Sequence, residues 1–576
     1  MTVNSDSEAT EKTKVAGDQE SGGSTTDLEA GNITKQPSIV KIKSENDEPA
    51  DDDRKAPTES SEYPKGIALL SVVAAVIITV FLTSLDQTIV GTAIPKITDE
   101  FHGLEQVSWY GSAYFMCLGG FQPAWGKAFK YFPIKMTFIV SIAVFEIGSL
   151  ICGVSPNSNA FIVGRAIAGV GGAGINVGCA LIFAFIAPPE KRPSLMGFIG
   201  VAYTIAAICG PLIGGAFADR VTWRWCFYIN LPVGGVALFL IYFFFHTPSF
   251  AQNDSFHGAG WKEKALHMDP LGIVLSMGSI ISFILALQYG GVTHAWSSST
   301  VIGLLVGSVL ILLALLAWEF IFAGEYAMLP ARLIKQRNIW APSIFQAFFS
   351  GCYFLLLFYL PIYFQSIKGV DAVQSGVDNL PLVIAGCLAI ISGGIVVTKT
   401  RHVTPFMLAG AAISAICCGL LYTLDEYTPS AKWIGYQILL GVAIAFPFQN
   451  ALNIVQANTN SDDISTASAT LFFFQILGGA YSVSAAQSAF VNRLIGSLAV
   501  NVPGLNPMIV VGTGASELRR VFPPELLPGI VVAYMDGLRA SFAVAIGLAS
   551  VAFLSTALVP WKRLPVGSVG EGVAMG

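Results

Sequence analysis

Charge is the first thing this sequence is short of. Asp, Glu, Lys and Arg make up 12% of its 576 residues, about half the share of a soluble domain, which argues against a water-soluble enzyme. Histidine is scarcer still. All six (His102, His246, His257, His267, His294 and His402) lie in loops or at the ends of apolar runs, so no histidine box stands ready to hold a metal inside a membrane. No stretch reads G-x-x-x-x-G-K-[ST], which excludes an ATPase motor carried by this chain. The nine cysteines fall within apolar runs without metal-ligand spacing and read as small packing residues. With no nucleophile, metal or cofactor constellation in view, the expectation is a protein that is not an enzyme and needs neither metal nor cofactor. The first residues lack the basic segment and short apolar core of a cleaved signal peptide, so the first apolar span is expected to do the targeting.

What the sequence has is apolar length. Hydrophobic residues make up 53% of it and the mean hydropathy is +0.64. Apolar runs near 20 residues recur along the chain, each long enough to cross about 30 Å of hydrocarbon as a helix. They are too long and continuous for barrel strands, so the fold class is an all-α polytopic membrane protein with fourteen expected spans. Residues 1–64 differ: 15 acids stand against 7 bases there, and too little apolar surface is present to fold. They read as a disordered, acidic, cytosolic tail. Prolines, glycines and charges break the region 491–533, which reads as an extracellular loop.

Basic residues orient the spans. One set of loops holds Lys127, Lys130, Lys135, Lys191, Arg192, Arg332, Lys335, Lys399 and Arg401, while the opposite short loops hold few. The positive-inside rule puts the first set and both termini in the cytosol.

Several stretches carry more than hydropathy. "FLTSLDQTIVGTAIP" places Asp86 about 30 Å along a helix starting near Gly66, toward the outer half of the membrane. Two readings stay open: an interfacial acid that caps or pairs, or a proton carrier. Arg165, early in the fourth span, is costly in lipid unless paired or hydrated; it either snorkels to the interface or faces a central cavity. "AGVGGAG", Ala168 to Gly174, matches G-x-G-x-x-G, but no strand precedes it, and close helix packing explains it better than a dinucleotide. "AICGPLIGGAFAD" puts Gly210, Pro211, Gly214 and Gly215 in the fifth span, where the proline favours a kink and the glycines close contact, as in a hinge or seal between two halves. "WGKAFKYFPIKMTF" supplies a short basic turn with Gly126, Lys130 and Lys135, and a similar arrangement at 393–410 suggests two related halves. Polar groups inside later spans, namely Gln346, Gln449, Asn450, Asn453 and Gln475, together with Phe473, are candidates for a cavity suited to amphipathic molecules. Glu319 is expected to face the headgroups.

The order of these motifs resembles the major facilitator superfamily, specifically its fourteen-span drug:proton antiporters. "LDQTIVGTAIPKITDEF", "VSWYGSAYFM", "FPIK" and "WRWCFYINLPVGG" are most similar to fungal toxin and multidrug exporters. The resemblance covers about residues 66–560 and implies a major facilitator fold of two six-helix bundles plus two additional central spans. The bundles would occupy 65–245 and 339–560, separated by a linker with the two extra helices at 246–338 and followed by a cytosolic tail at 561–576. It implies alternating access driven by proton flow, with Asp86 and Arg165 as the coupling pair. This sequence departs from the family's loop motif, which usually carries an aspartate where Lys130 stands and a glycine where Pro133 stands.

The expected function is a proton-coupled efflux transporter for hydrophobic or amphipathic small molecules, such as a fungal toxin, secondary metabolite or drug. A carrier for siderophores or basic amino acids and a non-transporting sensor are the alternatives. The expected partners are a small-molecule substrate, protons and the lipid bilayer, with no nucleic acid, and a functional monomer is expected. The plasma membrane is the expected location, with a vacuolar or vesicle membrane as the alternative.

Overall fold

The computed structural model describes residues 64, 66–101, 107–188, 191–247, 261–515, 517–561 and 563. The expectations for the 1–64 tail, and for nearly all of the 561–576 tail, lie outside the described residues. Helices dominate, and the only β pairing among the described residues is an isolated bridge between Gly290 and His294.

The long helices run, in chain order, α1 Ile67–Phe101, α2 Val107–Tyr131, α3 Ile134–Val154, α4 Ser158–Ile186, α5 Arg192–Arg220, α6 Asn230–Phe244, α7 Pro270–Tyr289, α8 Ser299–Ala317, α9 Arg337–Ser366, α10 Leu380–Thr400, α11 Thr404–Tyr422, α12 Ser430–Ala457, α13 Ile464–Asn501 and α14 Leu527–Ser555. Thirteen of them are long and apolar enough to cross a membrane, and α2 is the exception. It has 25 residues, ample length, but Gln122, Lys127 and Lys130 lower its hydropathy. The reason is positional: Gln122 and Lys127 are buried within the protein, so lipid never meets them. With α2, the long helices among the described residues number fourteen, the number of spans that the sequence suggested.

One boundary differs. α13 continues to Asn501 and α14 begins at Leu527, so the connecting segment is 502–526 and not 491–533. The helix absorbs Asn492 and Asn501, whose amides donate to carbonyls four residues back, and Asn492 also ties to Gly290 O at 3.1 Å. Polar residues that look like a loop in sequence are here a helix end held by local bonds.

The first six helices pack among themselves: α1 on α4, α5 and α6, and α4 on α2 and α3. The last six do the same through α9, α12, α13 and α14. Two seams join these bundles, α2 against α13 and α5 against α10. The additional pair leans on this assembly through α7, which touches α2 and α13, whereas α8 packs mainly on α7. Consequently α8 keeps Val306, Val309, Leu310 and Leu313 exposed, an apolar face suited to lipid.

The glycine run of α4 explains the tight first bundle. A Cβ at Gly171 would sit 2.6 Å from Phe145 Cα on α3, and one at Gly172 would sit 2.7 Å from the Tyr114 hydroxyl on α2. "AGVGGAG" is therefore the surface on which two neighbouring helices close in.

Candidate functional site

Asp86 and Arg165 meet inside the first bundle. Arg165 Nη1 donates to Asp86 Oδ2 at 2.5 Å, and both side chains are essentially inaccessible, at 1% and 0% exposure. Asp86 is thus an interior group and not an interfacial one, and Arg165 does not snorkel. Helix geometry delivers the pair: Asp86 is on the face of α1 that abuts α4, and Arg165 lies two turns into α4 from its Asn157 cap. The surroundings complete the charge pair. Arg165 Nε donates to Tyr110 O at 3.0 Å, and its guanidinium lies over the Tyr114 ring at 4.5 Å. Asn230, the first residue of α6, donates from Nδ2 to Asp86 Oδ1 at 3.3 Å and to Ser149 Oγ at 3.1 Å. Taking two charges out of water costs several kcal/mol each, repaid only where geometry and extra hydrogen bonds are good. The sequence reading missed Asn230 and Ser149. The one visible signal was a lone amide after the aromatic string "WRWCFYIN".

The C-terminal end of α2 and the N-terminal end of α13 carry a second charge cluster. Lys130 Nζ donates to Asp463 Oδ1 at 2.6 Å. Asp463 closes a short 3-10 turn, Ser461–Asp463, immediately before α13. Arg332, from the short helix Ala331–Ile334, reaches the same carboxylate with both terminal nitrogens, at 2.5 and 2.7 Å. The lysine that replaces the family's aspartate therefore has its acid on the other half. Gly126 lets the two helices approach here, since a Cβ there would sit 3.1 Å from Ser465 O. Lys135 takes no part; its ammonium stands over the Tyr242 ring at 5.4 Å.

Lys127 is buried at the same end, where Asp269 and Glu319 supply the opposite charges acting on it. Asp269 accepts from Gly272 N, Trp318 Nε1 and Met328 N at 2.8, 2.9 and 3.0 Å. Glu319 is buried and accepts from Leu329 N at 2.9 Å; it does not face headgroups, because the chain after α8 folds back over it.

In α5, Gly210 faces α1: a Cβ there would sit 2.7 Å from Thr88 Cβ, and the Thr88 hydroxyl donates to Ala206 O at 3.3 Å. That contact lies within the first bundle. The approach of α5 to α10 is made by Gly200, whose Cβ would sit 2.8 Å from Ile390 Cδ1. Gly214 accepts a Cys226 thiol bond and Gly215 has open space. The Pro211 side chain lies outside the described residues.

Between the bundles lies a cavity with about 1250 Å³ of empty space, partly continuous with solvent. Its polar lining is Gln87, Gln122, Asn176, Tyr203, Gln449 and Gln475, set among Tyr353, Phe354, Phe448, Phe472 and aliphatic side chains, and none of the described residues that line it is charged. Of the sequence candidates, Gln449 and Gln475 line it directly. Gln346 stands behind, donating to Gln475 Oε1 at 3.0 Å. Asn450 and Asn453 turn to local bonds, Asn450 to Phe446 O at 2.5 Å and Asn453 to Asn450 Oδ1 at 3.2 Å. Phe473 packs with Leu315, Met328 and Leu329 beside the additional helices. Consecutive helical residues point about 100° apart, so its neighbour Phe472 takes the cavity. Gln122 went unremarked in the sequence.

At the opposite end of the first bundle from Lys130, a further cluster ties the C-terminal end of α1 to the segment before α6. Glu100 accepts from Trp223 Nε1 and Arg224 Nη2, both at 2.7 Å. Arg224 also caps Gly153 O and Ser155 O at 2.8 and 2.9 Å. The Trp223 hydrogen bond holds the Glu100 carboxyl below its ordinary pKa against the opposing effect of burial, with help from the hydrogen bond and charge of Arg224.

The family model described as Major Facilitator Superfamily matches residues 76–483. The MFS-type transporter thnB of Trichoderma harzianum is 65% identical over 86% of this chain and 85% of its own length. The probable efflux pump gsfJ of Penicillium aethiopicum is 50% identical over 88% and 90%, and the MFS-type efflux pump MFS1 of Arthroderma benhamiae is 40% identical over 88% and 94%. Among solved structures, the proton:xylose symporter XylE bound to 6-bromo-6-deoxy-D-glucose superposes with a TM-score of 0.55 at 14% identity, over 86% of this chain and 95% of that one. At that identity the likeness concerns the fold alone.

Proposed function

The chain belongs to the major facilitator superfamily, a family of membrane transporters, and we propose that it exports neutral amphipathic organic molecules in exchange for protons. The observation that carries this is the cavity between the bundles, which the described residues line with aliphatic side chains, aromatic rings and a few amides, none of them charged. Such a lining suits an apolar body with a few hydrogen-bonding groups. It offers no carboxylate to a basic amino acid, which weighs against that alternative. The direction of transport follows the relatives whose names describe efflux pumps, and the plasma membrane is the proposed location.

Proton coupling rests on the Asp86–Arg165 pair. A proton on Asp86 cancels the charge that Arg165 binds, so proton and arginine compete for one carboxylate. Helices α1 and α4, which carry the pair, also contribute Val80, Gln87, Asn176, Cys179 and Ala180 to the cavity. Movement of either helix therefore alters both sites. A proton moving inward down about 100 mV releases about 2.3 kcal/mol, a drive of the size coupled transport needs.

The test is accumulation in inverted vesicles with an imposed proton gradient, using a compound first found by an export screen in a strain lacking its own pumps. Asp86→Asn is expected to bind that compound but not to accumulate it. Normal accumulation by the variant would remove Asp86 as the carrier. Failure of any neutral compound to be exported by the wild type would remove the function itself.

A further inference from the structure

Gln122 is fully buried in α2, lines the cavity, and has no hydrogen-bond partner for either Nε2 or Oε1. Two other amides of the site are partly engaged: Gln87 accepts from the Tyr203 hydroxyl at 3.1 Å, and Gln475 accepts from Gln346 at 3.0 Å. A buried amide without partners is unfavourable, and in native proteins such groups mark a role for something that binds. A folding role does not account for it, since the amide bonds to nothing in the protein. A Leu at this position of a membrane helix would be at least as stable.

We propose that Gln122 is the recognition group for the transported molecule, and that it reads a hydrogen-bond donor and acceptor side by side on one edge of a flat, uncharged ring system. This rests on the cavity being the substrate site. A primary amide presents a carbonyl acceptor and an N–H donor in one plane, pointing the same way. Its complement is a cis-amide edge, as in an aromatic lactam or cyclic imide, which forms two antiparallel hydrogen bonds with it. The remaining lining fits the rest of such a molecule. Tyr353, Phe354, Phe448 and Phe472 supply ring faces, with which planar aromatics stack favourably. An anionic edge would find no cation there, and a cationic one no acid. Position adds a second consequence. Gln122 lies on the helix that ends in Lys127 and Lys130, one residue before its internal Pro123, so a ligand paired with it touches the same helix that carries the Lys130 charge cluster.

The probe pair is 2-quinolone, which carries the cis-amide edge, and 1-methyl-2-quinolone, which lacks the donor. Binding of each to the purified full chain in nanodiscs is measured by isothermal calorimetry. A site built to bond a donor rejects the analogue lacking it strongly, so the wild type is expected to bind 2-quinolone at least tenfold tighter. Gln122→Leu is expected to bring that ratio close to one, and Gln122→Asn to keep part of it. The Leu variant is also expected to melt no lower than the wild type, because no protein bond is lost. Equal wild-type affinities, undetectable binding of both included, overturn the assignment. So does an undiminished ratio in Gln122→Leu, which would mean that the amide is satisfied by water alone. A fall in melting temperature of the Leu variant with no change in ratio would assign the amide a structural role. Export of other neutral aromatics without quinolone discrimination would sink this assignment and leave the export function standing. Intact discrimination without any export would do the reverse.

Discussion

If the loops rich in Lys and Arg face the cytosol, and the Lys130–Asp463 pair holds that side of the cavity closed, Asp463→Asn is expected to open it. In the structure one carboxylate on the second bundle is held by Lys130 from the first and Arg332 from the linker. The substitution leaves two cations facing each other with no acid between them. Two unit charges about 3 Å apart attract by about 5–6 kcal/mol at an effective dielectric of about 20, but desolvation and side-chain ordering offset most of that. Burial decides how much survives. Fully exposed pairs contribute about 0.2–1 kcal/mol, while breaking a fully buried pair costs about 3–5 kcal/mol. Lys130 and Asp463 are 20% and 8% exposed and Arg332 is 60% exposed, so the lysine pair lies between the limits and the arginine near the lower one. A shift of about 1–2 kcal/mol in the open–closed balance is expected, roughly 5–30-fold in population. The assay places a single cysteine at Gln449, on the cavity wall, in a background without native cysteines. Sealed inside-out vesicles are then treated with an impermeant thiol reagent. Labelling should accelerate 5–30-fold in Asp463→Asn and similarly in Lys130→Asp, and by threefold or less in Arg332→Ala. The double exchange Lys130→Asp with Asp463→Lys should recover part of the wild-type rate, since Arg332 then faces a lysine. Wild-type labelling rates in both single variants would refute the idea that this pair holds the mouth shut.

Three further outcomes follow from the packing and charges. Gly171→Ala should lower stability by about 1–3 kcal/mol, because its Cβ would strike the Phe145 backbone, whereas Gly215→Ala, with open space around it, should leave the melting temperature in detergent nearly unchanged. Glu146→Gln should not lower the melting temperature either: both Glu146 carboxylate oxygens are buried without a hydrogen bond, so the isosteric amide removes nothing, and a clear drop would reveal a partner the geometry lacks. Glu100 has a depressed folded pKa, owed first to Trp223, so its stabilisation is present above the unfolded value of about 4.3 and is lost as pH falls through the lower folded value. Hydrogen exchange at residues 223–228 should therefore speed up only in strong acid, and Glu100→Gln should remove that acid step while raising exchange at neutral pH; an unchanged acid step in the variant would rule out Glu100 as its source.

Much of the architecture could be read from one-dimensional properties. Span length and scarcity of charge state a helical membrane protein directly, because lipid demands both of every residue it touches. The spans came out at fourteen because even α2, polar as it is, has a continuous run of helical length. The end of α13 differs for the complementary reason: prolines, glycines and charges make 491–533 read as a loop, but residues 491–501 stay helical, with the Asn492 and Asn501 amides bonding within the helix.

The site was legible only in its expensive members. Asp86 and Arg165 stand out because charge in an apolar run requires an explanation, but that they require each other is a fact of how α1 meets α4. Asn230, Asp463 and Gln122 gave no comparable signal. An amide is cheap enough to sit in any helix, and an aspartate before a span reads as a cap; what makes them consequential is what lies opposite, hundreds of residues away for Lys130 and Asp463. Hydropathy is a property of each residue alone, and so composition by itself determined the membrane and the helices. Pairing, register and the direction a side chain points depend on two helices at once. Only the tertiary structure decided that Phe472 and not Phe473 faces the cavity, that Lys130 pairs with Asp463 on the other bundle, and that Gln122 is left with its bonds unmade.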